Sequence, residues 1–471
     1  MSSMIHLSAD GWCARVDDDA VDDDLARIAD AAGTFWAQAS PGAIVYVAFD
    51  TRPDAERLAC LAGRILAGHG LVAKVADRFT PVPALAWTIA NDQRACGGLM
   101  VTGSQRPYDY VGVRIYTADG VSPTREVSDE LELLIEPEPA SVFGGIQRTD
   151  IATSYLDNLY ASVDGDAIAH AGLSVLYDPL YGAGRLHLPM VMSALGIDVT
   201  EIHGEFDDDD AIDLHPEPVE PWVDDCERAV VETGACAGFI TDGDADRMSA
   251  VDERGRYVSP RMIATLVLKH LVEHRGEKGR VVLGVSASAL TRRVAKALGC
   301  RVVMKPTGFE HIYKEALKGD VLLGVEGRTG ICIPSHMIER DGLHVALILC
   351  ELMAKTGKTL AQLVDEVERE YGAMAYAVRD LRVENEVSEI FRTMLPGLNP
   401  HTVAGREPVA VSHMDGLRLE FDDESWMLLR PSRMDPVVRV YAEAPTVQER
   451  DRLLEAGCEI ARGEALDSGM Q

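Results

Sequence analysis

Three aspartates alternate with small residues directly after a short apolar run. The segment reads Thr241-Asp242-Gly243-Asp244-Ala245-Asp246-Arg247 and follows Gly238-Phe239-Ile240. Residues two apart in an extended or turning loop face the same way, so the three carboxylates converge. Hard divalent cations prefer several oxygen ligands, and small residues between the acids let the backbone fold around an ion. The pattern predicts a metal site at the carboxyl end of a strand, where α/β proteins place their ligands.

A calcium-binding EF-hand is the nearest rival metal site. Asp242, Asp244 and Asp246 fit loop positions one, three and five, and Glu253 falls at position twelve. Position six should be glycine and is Arg247, and the flanking segments read as strands and not as helices. We therefore reject the EF-hand, and a solvated acidic turn is the remaining alternative to a metal site.

A serine loop follows another buried strand. Leu99-Met100-Val101 leads into Thr102-Gly103-Ser104-Gln105-Arg106-Pro107, a polar turn that can present a hydroxyl to a cleft. The sequence lacks the G-x-S-x-G elbow of α/β hydrolases, so a hydrolase triad is unsupported. Arg114 lies a few residues further on and is a candidate phosphate-binding cation.

Two later loops also have a composition that suits ligand binding. Gly324-Val325-Glu326-Gly327-Arg328-Thr329-Gly330 combines glycines, which allow close backbone approach, with one acid and one base. Arg430-Pro431-Ser432-Arg433-Met434-Asp435-Pro436 places two arginines and a serine within four residues, as a phosphate clamp requires. Each loop alone is weak support for a ligand site.

The composition limits the class of protein. The 471 residues carry 45 Lys+Arg against 76 Asp+Glu, a formal net charge of −31 that argues against binding nucleic acids or anionic membranes. The nine cysteines are scattered and form no C-x-x-C pair, so we expect no zinc site, no disulfide framework and a cytoplasmic location. Met1–Ala9 does not have the pattern of a signal peptide, and the apolar stretch Leu343–Ala354 is too short to span a bilayer.

The elements that must position these loops form a repeating pattern of strands and helices. Apolar strand candidates alternate with segments of helical spacing, which predicts parallel α/β sheets covered by helices on both faces. Ser141–His170 looks helical, and the tail from about Gly372 mixes short strands with a final helix at Val447–Ala461. We predict three related α/β domains, 1–145, 146–255 and 256–370, and a smaller C-terminal α+β domain, 371–471.

Taken together and in this order, the loops resemble those of the α-D-phosphohexomutase family of phosphoglucomutases and phosphomannomutases. Asp242–Arg247 matches the D-G-D-A-D-R metal loop of that family in full. Val101–Arg114 is similar to its T-A-S-H-N-P loop and the N-G-x-K that follows, and Asp10-Gly11-Trp12 to its opening D-G-W-R. Gly324–Gly330 resembles its G-E-x-S-G sugar loop, and Arg430–Pro436 its R-P-S-G-T-E-P phosphate loop.

The resemblance implies a fold, a reaction and a set of site residues. The four domains would surround a central cleft, Ser104 would be carried as phosphoserine, and Mg²⁺ would be held by the serine phosphate and the three aspartates. Arg114 and Arg247 would complete the catalytic group. The residues implied to bind the phosphorylated hexose are Glu326, Arg328, Arg430, Ser432, Arg433 and Arg439. We expect the protein to act as a monomer or a homodimer.

The departures from the family pattern cluster in the functional loops. Arg114 replaces a lysine and stays protonated at neutral pH, which makes it a poor general base. The other substituted positions are Cys13 for Arg, Gln105 and Arg106 for His-Asn, Glu310 for Lys, Arg328 for Ser, Arg433 and Met434 for a small residue and Thr, and Asp435 for Glu.

Three functions are compatible with these departures. The protein is a mutase with altered sugar recognition, a slow or non-catalytic paralogue that binds phosphosugars, or a Mg²⁺-dependent phosphatase or bisphosphate synthase. Retention of all three aspartates favours the mutase, which would interconvert hexose 1-phosphate and hexose 6-phosphate through a bisphosphorylated sugar.

Overall fold

Four β-sheets follow one another along the chain, and helices pack against each of them. The computed structural model describes residues 5–8, 11–18, 20–205, 214–327, 330–432 and 436–463. The first three units are α/β and the C-terminal unit is β-rich, so the predicted fold class is confirmed. No helix in these ranges combines the length and the apolar character needed to cross a lipid bilayer.

The first sheet has six strands in the order β1-β5-β4-β2-β3-β6. Its strands are β1 (Trp12–Arg15), β2 (Ile44–Phe49), β3 (Val72–Ala76), β4 (Ala95–Val101), β5 (Tyr110–Thr117) and β6 (Gln147–Thr149). The helices are α1 (Val21–Ala39), α2 (Ala55–Gly68), α3 (Val82–Asn91) and α4 (Arg125–Glu132). Every residue of β2 is buried, as expected for a central strand with both faces covered.

The second sheet has five strands in the order β11-β10-β9-β7-β8. Its elements are α5 (Thr153–Ala161), α6 (Gly165–Ala171), β7 (Ser174–Asp178), α7 (His187–Ala194), β8 (Asp198–Glu201), α8 (Asp224–Thr233), β9 (Ala237–Thr241), β10 (Met248–Asp252) and β11 (Tyr257–Val258).

The third sheet has four strands in the order β13-β12-β14-β15 and shares one contiguous apolar core with the second. Its elements are α9 (Pro260–Glu273), β12 (Arg280–Gly284), α10 (Ala289–Ala297), β13 (Val302–Lys305), α11 (Phe309–Ala316), β14 (Val321–Glu326), β15 (Gly330–Cys332), α12 (Gly342–Thr356) and α13 (Leu360–Tyr371).

The fourth sheet is antiparallel throughout, in the order β16-β20-β19-β18-β17. Its elements are β16 (Ala375–Arg382), α14 (Asn385–Met394), β17 (Ala410–Ser412), β18 (Leu417–Glu420), β19 (Trp426–Pro431), β20 (Val437–Ala444) and α15 (Val447–Arg462), with a short 3₁₀ turn at Leu395–Gly397.

The first three sheets share one internal strand order. The orders β5-β4-β2-β3, β10-β9-β7-β8 and β15-β14-β12-β13 are equivalent, with three parallel strands followed by one antiparallel strand at the edge of the set. In each unit the candidate ligand loop is the hairpin between the last parallel strand and its antiparallel neighbour. The repeat is therefore one of strand order and not of sequence motif. Each of the three units has a loop at the same position, and the three loops differ in chemistry.

Two expectations about secondary structure are wrong. The sheets are mixed and not purely parallel, because the chain leaves each ligand loop through a tight hairpin where a parallel connection would need a long crossover. Ser141–His170 is not one helix. It contains β6, α5 and α6, and two aspartates start the helices: Asp150 accepts the amides of Ala152 and Thr153, and Asp164 accepts the amide of Ala167.

Candidate active site

The serine loop holds its backbone in a strained conformation. Ser104 follows β4 and has a φ of 50°, which is uncommon for a residue with a side chain. Its amide donates to Thr102 Oγ1 at 2.8 Å, and that hydroxyl donates to Asp50 Oδ2 at 2.7 Å. These buried hydrogen bonds compensate the strain and fix the direction of the serine side chain.

Arg52 holds the serine loop in place through its backbone carbonyls. Sequence reasoning did not identify this residue. Its guanidinium is fully buried, and Nε donates to Asp50 Oδ2 at 3.1 Å. The two terminal nitrogens donate to four loop carbonyls, those of Ser104 (2.7 Å), Arg106 (2.7 Å), Pro107 (2.5 Å) and Tyr110 (3.0 Å). Any Cβ at Gly103 would lie 2.5 Å from the Arg52 guanidinium carbon, so the loop wraps closely around this group.

The three aspartates of the second unit form a buried cluster. Asp242, Asp244 and Asp246 are all fully buried, and one carboxylate oxygen from each lies within 4.8 Å of the others. The turn between them needs its small residues, because Ala245 has a φ of 62° and a Cβ at Gly243 would come within 2.5 Å of the Ser104 carbonyl oxygen.

The first residues of two helices from other units donate hydrogen bonds to the backbone of this aspartate loop. Val82, the first residue of α3, donates its amide to the Asp244 carbonyl at 2.9 Å. Gly342, the first residue of α12, donates to the Ala245 carbonyl at 3.2 Å. The loop therefore lies where the first, second and third units meet.

The serine and aspartate loops meet directly. Ser104 Oγ donates to Asp244 Oδ1 at 3.0 Å, across 140 residues of sequence. Arg114 Nη1 donates to Asp244 Oδ2 at 2.7 Å and to Asp246 Oδ2 at 2.9 Å. The main-chain amide of Arg247 donates to Asp242 Oδ1 at 3.1 Å, and its side-chain Nε lies 3.3 Å from Asp246 Oδ1. A hydroxyl, three carboxylates and two guanidiniums thus share one centre.

Arg340 connects this centre to Glu326, the last residue of β14 in the third unit. Its Nη2 lies 3.2 Å from Asp246 Oδ2, and its Nη1 donates to Glu326 Oε2 at 3.1 Å. Its side chain is almost fully buried, in contact also with Glu339. In the sequence, Arg340 stands in the short run Arg340-Asp341-Gly342, which alone does not indicate a role.

The three carboxyl groups differ in their electrostatics. Burial and the negative charges of Asp246 and Asp244 raise the pKa of Asp242 well above its usual value. Burial and Asp246 also raise the pKa of Asp244, against the opposing effect of Arg114. Burial acts in the same direction on Asp246, but Arg340, Arg114 and Arg247 outweigh it and hold the pKa of Asp246 below its usual value. The cluster carries negative charge that its arginines compensate unequally.

This cluster suits a hard divalent cation. Oxygen ligands are what Mg²⁺ prefers, and a cation would favour the ionised forms of Asp242 and Asp244, which burial now disfavours. The residues that would hold such an ion are Asp242, Asp244 and Asp246, with Ser104 beside them.

The predicted residues of the fourth unit lie on its sheet. Arg430 in β19 and Arg439 in β20 face each other across the strand pair. Arg430 Nε donates to Asp415 Oδ2 at 2.8 Å, and Arg439 binds both oxygens of Asp380. Ser432 donates its amide to the Val437 carbonyl, which closes the hairpin. These contacts keep Arg430, Ser432 and Arg439 on the fourth unit and do not bring them to the aspartate cluster.

Several residues named from the sequence lie outside the described part of the chain, and their roles stay predictions. They are Asp10 of the opening element and Arg328, Arg433, Met434 and Asp435 of the later loops.

The Glu310 substitution has a structural explanation. Its carboxylate accepts the backbone amide of Arg125, the first residue of α4, at 3.0 Å. Close by, Tyr313 donates to Asp119 Oδ2 at 2.7 Å. An acid at the N-terminus of α4 is favourable, so Glu310 joins the third unit to the first.

Comparisons with known proteins agree with this architecture. Sequence profiles for the α/β/α domains I, II and III of phosphoglucomutase/phosphomannomutase match residues 5–140, 153–255 and 259–371. A phosphoglucomutase/phosphomannomutase of Thermococcus kodakarensis is 27% identical over 424 residues, which cover 88% of this chain and 89% of the relative. A phosphoglucosamine mutase of a Parafrankia species is 30% identical over 414 residues, covering 86% of this chain and 83% of the relative.

A solved structure extends the similarity to the whole fold. The crystal structure of a phosphomannomutase candidate from Thermus thermophilus superposes with a TM-score of 0.86 at 29% identity, covering 98% of this chain and 99% of that one. The profiles, the relatives and the fold agree, and the chain belongs to the α-D-phosphohexomutase family of phosphoglucomutases and phosphomannomutases.

Proposed function

We propose that the protein is a phosphohexomutase that interconverts hexose 1-phosphate and hexose 6-phosphate through a phosphorylated Ser104. The observation that carries this proposal is the 3.0 Å hydrogen bond from Ser104 Oγ to Asp244, within a cluster of three buried carboxylates. A nucleophilic hydroxyl beside a cation site is the arrangement that phosphoryl transfer requires.

Mg²⁺, held by Asp242, Asp244 and Asp246, would supply charge neutralisation for the oxygens of the transferring phosphoryl group. In the first transfer, a hydroxyl oxygen of the hexose phosphate bonds to phosphorus, the bond from Ser104 Oγ to phosphorus breaks, and the proton of the sugar hydroxyl ends on Ser104 Oγ. In the return transfer, Ser104 Oγ bonds to the other phosphorus of the bisphosphorylated sugar, the bond from that phosphorus to the sugar oxygen breaks, and the proton of the Ser104 hydroxyl ends on the sugar oxygen. Asp244 Oδ1 accepts the hydrogen bond of the Ser104 hydroxyl and so orients Oγ for this second step.

The arginines of the centre stabilise charge and do not act as bases. Arg114 stays protonated at neutral pH, so its role is to balance Asp244 and Asp246 and to attract the phosphoryl oxygens. Arg247 supports the aspartate loop through Asp242 and Asp246. These contacts explain how a lysine-to-arginine change at position 114 is compatible with the reaction.

The substrate is held further from the centre. Glu326, oriented by Arg340, would accept hydrogen bonds from sugar hydroxyls. Arg430 and Ser432 would hold the phosphate that is not being transferred, and Arg328, Arg433 and Arg439 are further proposed substrate-binding residues. Two of the relatives are named for glucose and mannose phosphates and for glucosamine phosphate, so these three sugars are the first substrates to test.

The test is turnover of each hexose 1-phosphate with Mg²⁺ and a trace of the matching 1,6-bisphosphate. We expect one of the three to be converted to its 6-phosphate, and Ser104→Ala to abolish conversion. Steady release of inorganic phosphate would instead indicate a phosphatase. A phosphosugar-induced melting shift without turnover would indicate a binding paralogue, and either result would overturn the mutase proposal.

A further inference from the structure

Gln105, in the serine loop, extends its side chain to the aspartate loop and hydrogen-bonds to two residues there. Its Nε2 donates to Asp242 Oδ2 at 3.2 Å, and its Oε1 accepts from Arg247 Nη1 at 3.0 Å. The amide of Arg247 in turn donates to Asp242 Oδ1 at 3.1 Å. Three residues from two loops, 137 and 142 positions apart, therefore form a closed ring of hydrogen bonds.

The ring has a specific chemical requirement at position 105. The carboxylate of Asp242 only accepts hydrogen bonds, and the guanidinium of Arg247 only donates them. The side chain between them must donate on one side and accept on the other. A carboxamide does both, as does a neutral imidazole, whereas a carboxylate cannot donate to Asp242 and a thioether provides neither function adequately.

The position of the ring gives it a consequence for the nucleophile. Gln105 follows Ser104 directly, and Arg52 holds the carbonyl of Ser104 by a separate hydrogen bond. The Gln105 ring then fixes the same stretch of backbone to the aspartate loop. The distance between Ser104 Oγ and the carboxylates depends on both attachments.

We propose that Gln105 is a positioning residue that sets the register between the serine loop and the aspartate loop through its paired donor and acceptor. The effect of this register on phosphoryl transfer rests on the proposed function, while the attachment of the two loops does not. To hold this register, the side chain at position 105 must donate to Asp242, accept from Arg247 and carry no net charge.

Four variants separate this role from simple packing. Gln105→Met preserves length and removes both functions, Gln105→Glu preserves shape and removes the donor, and Gln105→His restores one donor and one acceptor at pH 8, where imidazole is neutral. Gln93→His, at an exposed turn between α3 and β4, is the matched control.

The first measurement is amide hydrogen exchange of the segment 102–110 at pH 8, which requires no catalytic activity. We expect about tenfold faster exchange in Gln105→Met and Gln105→Glu, and exchange close to that of the unmodified protein in Gln105→His and Gln93→His. Unchanged exchange in both Met and Glu variants would overturn the proposal, as would exchange in the His variant as fast as in the Met variant.

The second measurement is the rate at which Ser104 gains a phosphoryl group from hexose 1,6-bisphosphate, followed by intact mass. Misplacement of a nucleophile by about 1 Å costs about 10²-fold. We expect this rate at saturating bisphosphate to fall about 10- to 100-fold in Gln105→Met and Gln105→Glu, with little change in the bisphosphate concentration that gives half the maximal rate, and to recover in Gln105→His. If the unmodified protein gains no phosphate while the exchange results follow the expected order, the mutase proposal fails and the positioning role of Gln105 stands. Equal rates in all four variants would contradict a role in transfer.

Discussion

Replacement of Arg52 by lysine tests how far the serine loop depends on one buried guanidinium. Arg52 donates to four loop carbonyls and to Asp50 in a fixed fork. A lysine ammonium has three donors on a single nitrogen, so at least two of these five bonds are lost. A buried polar group left unpaired costs about 1–3 kcal/mol, which gives about 2–6 kcal/mol for Arg52→Lys.

This loss acts on the loop that carries the nucleophile. The Ser104 backbone, with its φ of 50°, relies on surrounding bonds to stay in place, so we expect the loop to relax before the sheets unfold. The assay is the rate of phosphate incorporation at Ser104 from hexose 1,6-bisphosphate, together with the free energy of unfolding in urea. We expect the rate to fall about 10²-fold.

Arg57→Lys is the matched control, because Arg57 is half-exposed and binds Asp22 and Asp54 at the surface. Surface ion pairs contribute about 0–1 kcal/mol, so this variant should keep both its rate and its stability. A folded Arg52→Lys protein that gains phosphate at the unmodified rate would refute the reasoning.

Three further predictions follow from buried groups. Asp244→Asn removes the negative charge of a proposed cation ligand and leaves an oxygen that can accept from the Ser104 hydroxyl, so Mn²⁺ affinity measured by calorimetry should fall at least about tenfold, and unchanged affinity would exclude Asp244 as a ligand. Glu443→Gln removes the charge of a buried carboxylate in the fourth unit and weakens the hydrogen bonds that it accepts from Ser288 Oγ at 2.6 Å and Trp426 Nε1 at 2.7 Å. It should lower stability by about 2–4 kcal/mol and make the segment 371–463 more sensitive to protease, and equal cleavage rates would contradict this interface role. Burial lowers the pKa of His344 well below its usual value, so the unfolded chain binds the proton first and stability falls as pH drops below about 6.5, by up to about 1.4 kcal/mol per pH unit. The measurement is the free energy of unfolding in urea at pH 7 and at pH 5.5. The difference between the two values should be smaller in His344→Phe than in the unmodified protein, and an equal difference would show that another group is responsible.

The features visible in the sequence are those encoded by contiguous residues. The aspartate loop could be identified because its three acids, its small residues and its preceding strand lie within a few positions of one another. The alternation of strands and helices likewise indicated the α/β units. The hairpin after each loop was not visible, because an apolar strand has the same pattern whether its neighbour is parallel or antiparallel.

The features missed by sequence reasoning depend on contacts between distant segments. Arg52 binds carbonyl oxygens, which every residue has, so no side-chain pattern marks its partners. Arg340 joins Asp246 to Glu326 across two units, and Glu310 reads as a lost lysine until its contact with Arg125 is known. In each case the residue type was visible and its partner was not.

Phosphorus NMR of the phosphorylated protein tests the central claim most directly. The claim is that Ser104 and the three aspartates share one cation during phosphoryl transfer. The account predicts a phosphoserine resonance that is absent in Ser104→Ala, broadens on addition of Mn²⁺, and no longer broadens in the Asp242→Asn, Asp246→Asn double variant. A resonance that survives in Ser104→Ala, or one in the unmodified protein that Mn²⁺ leaves unchanged, would contradict it.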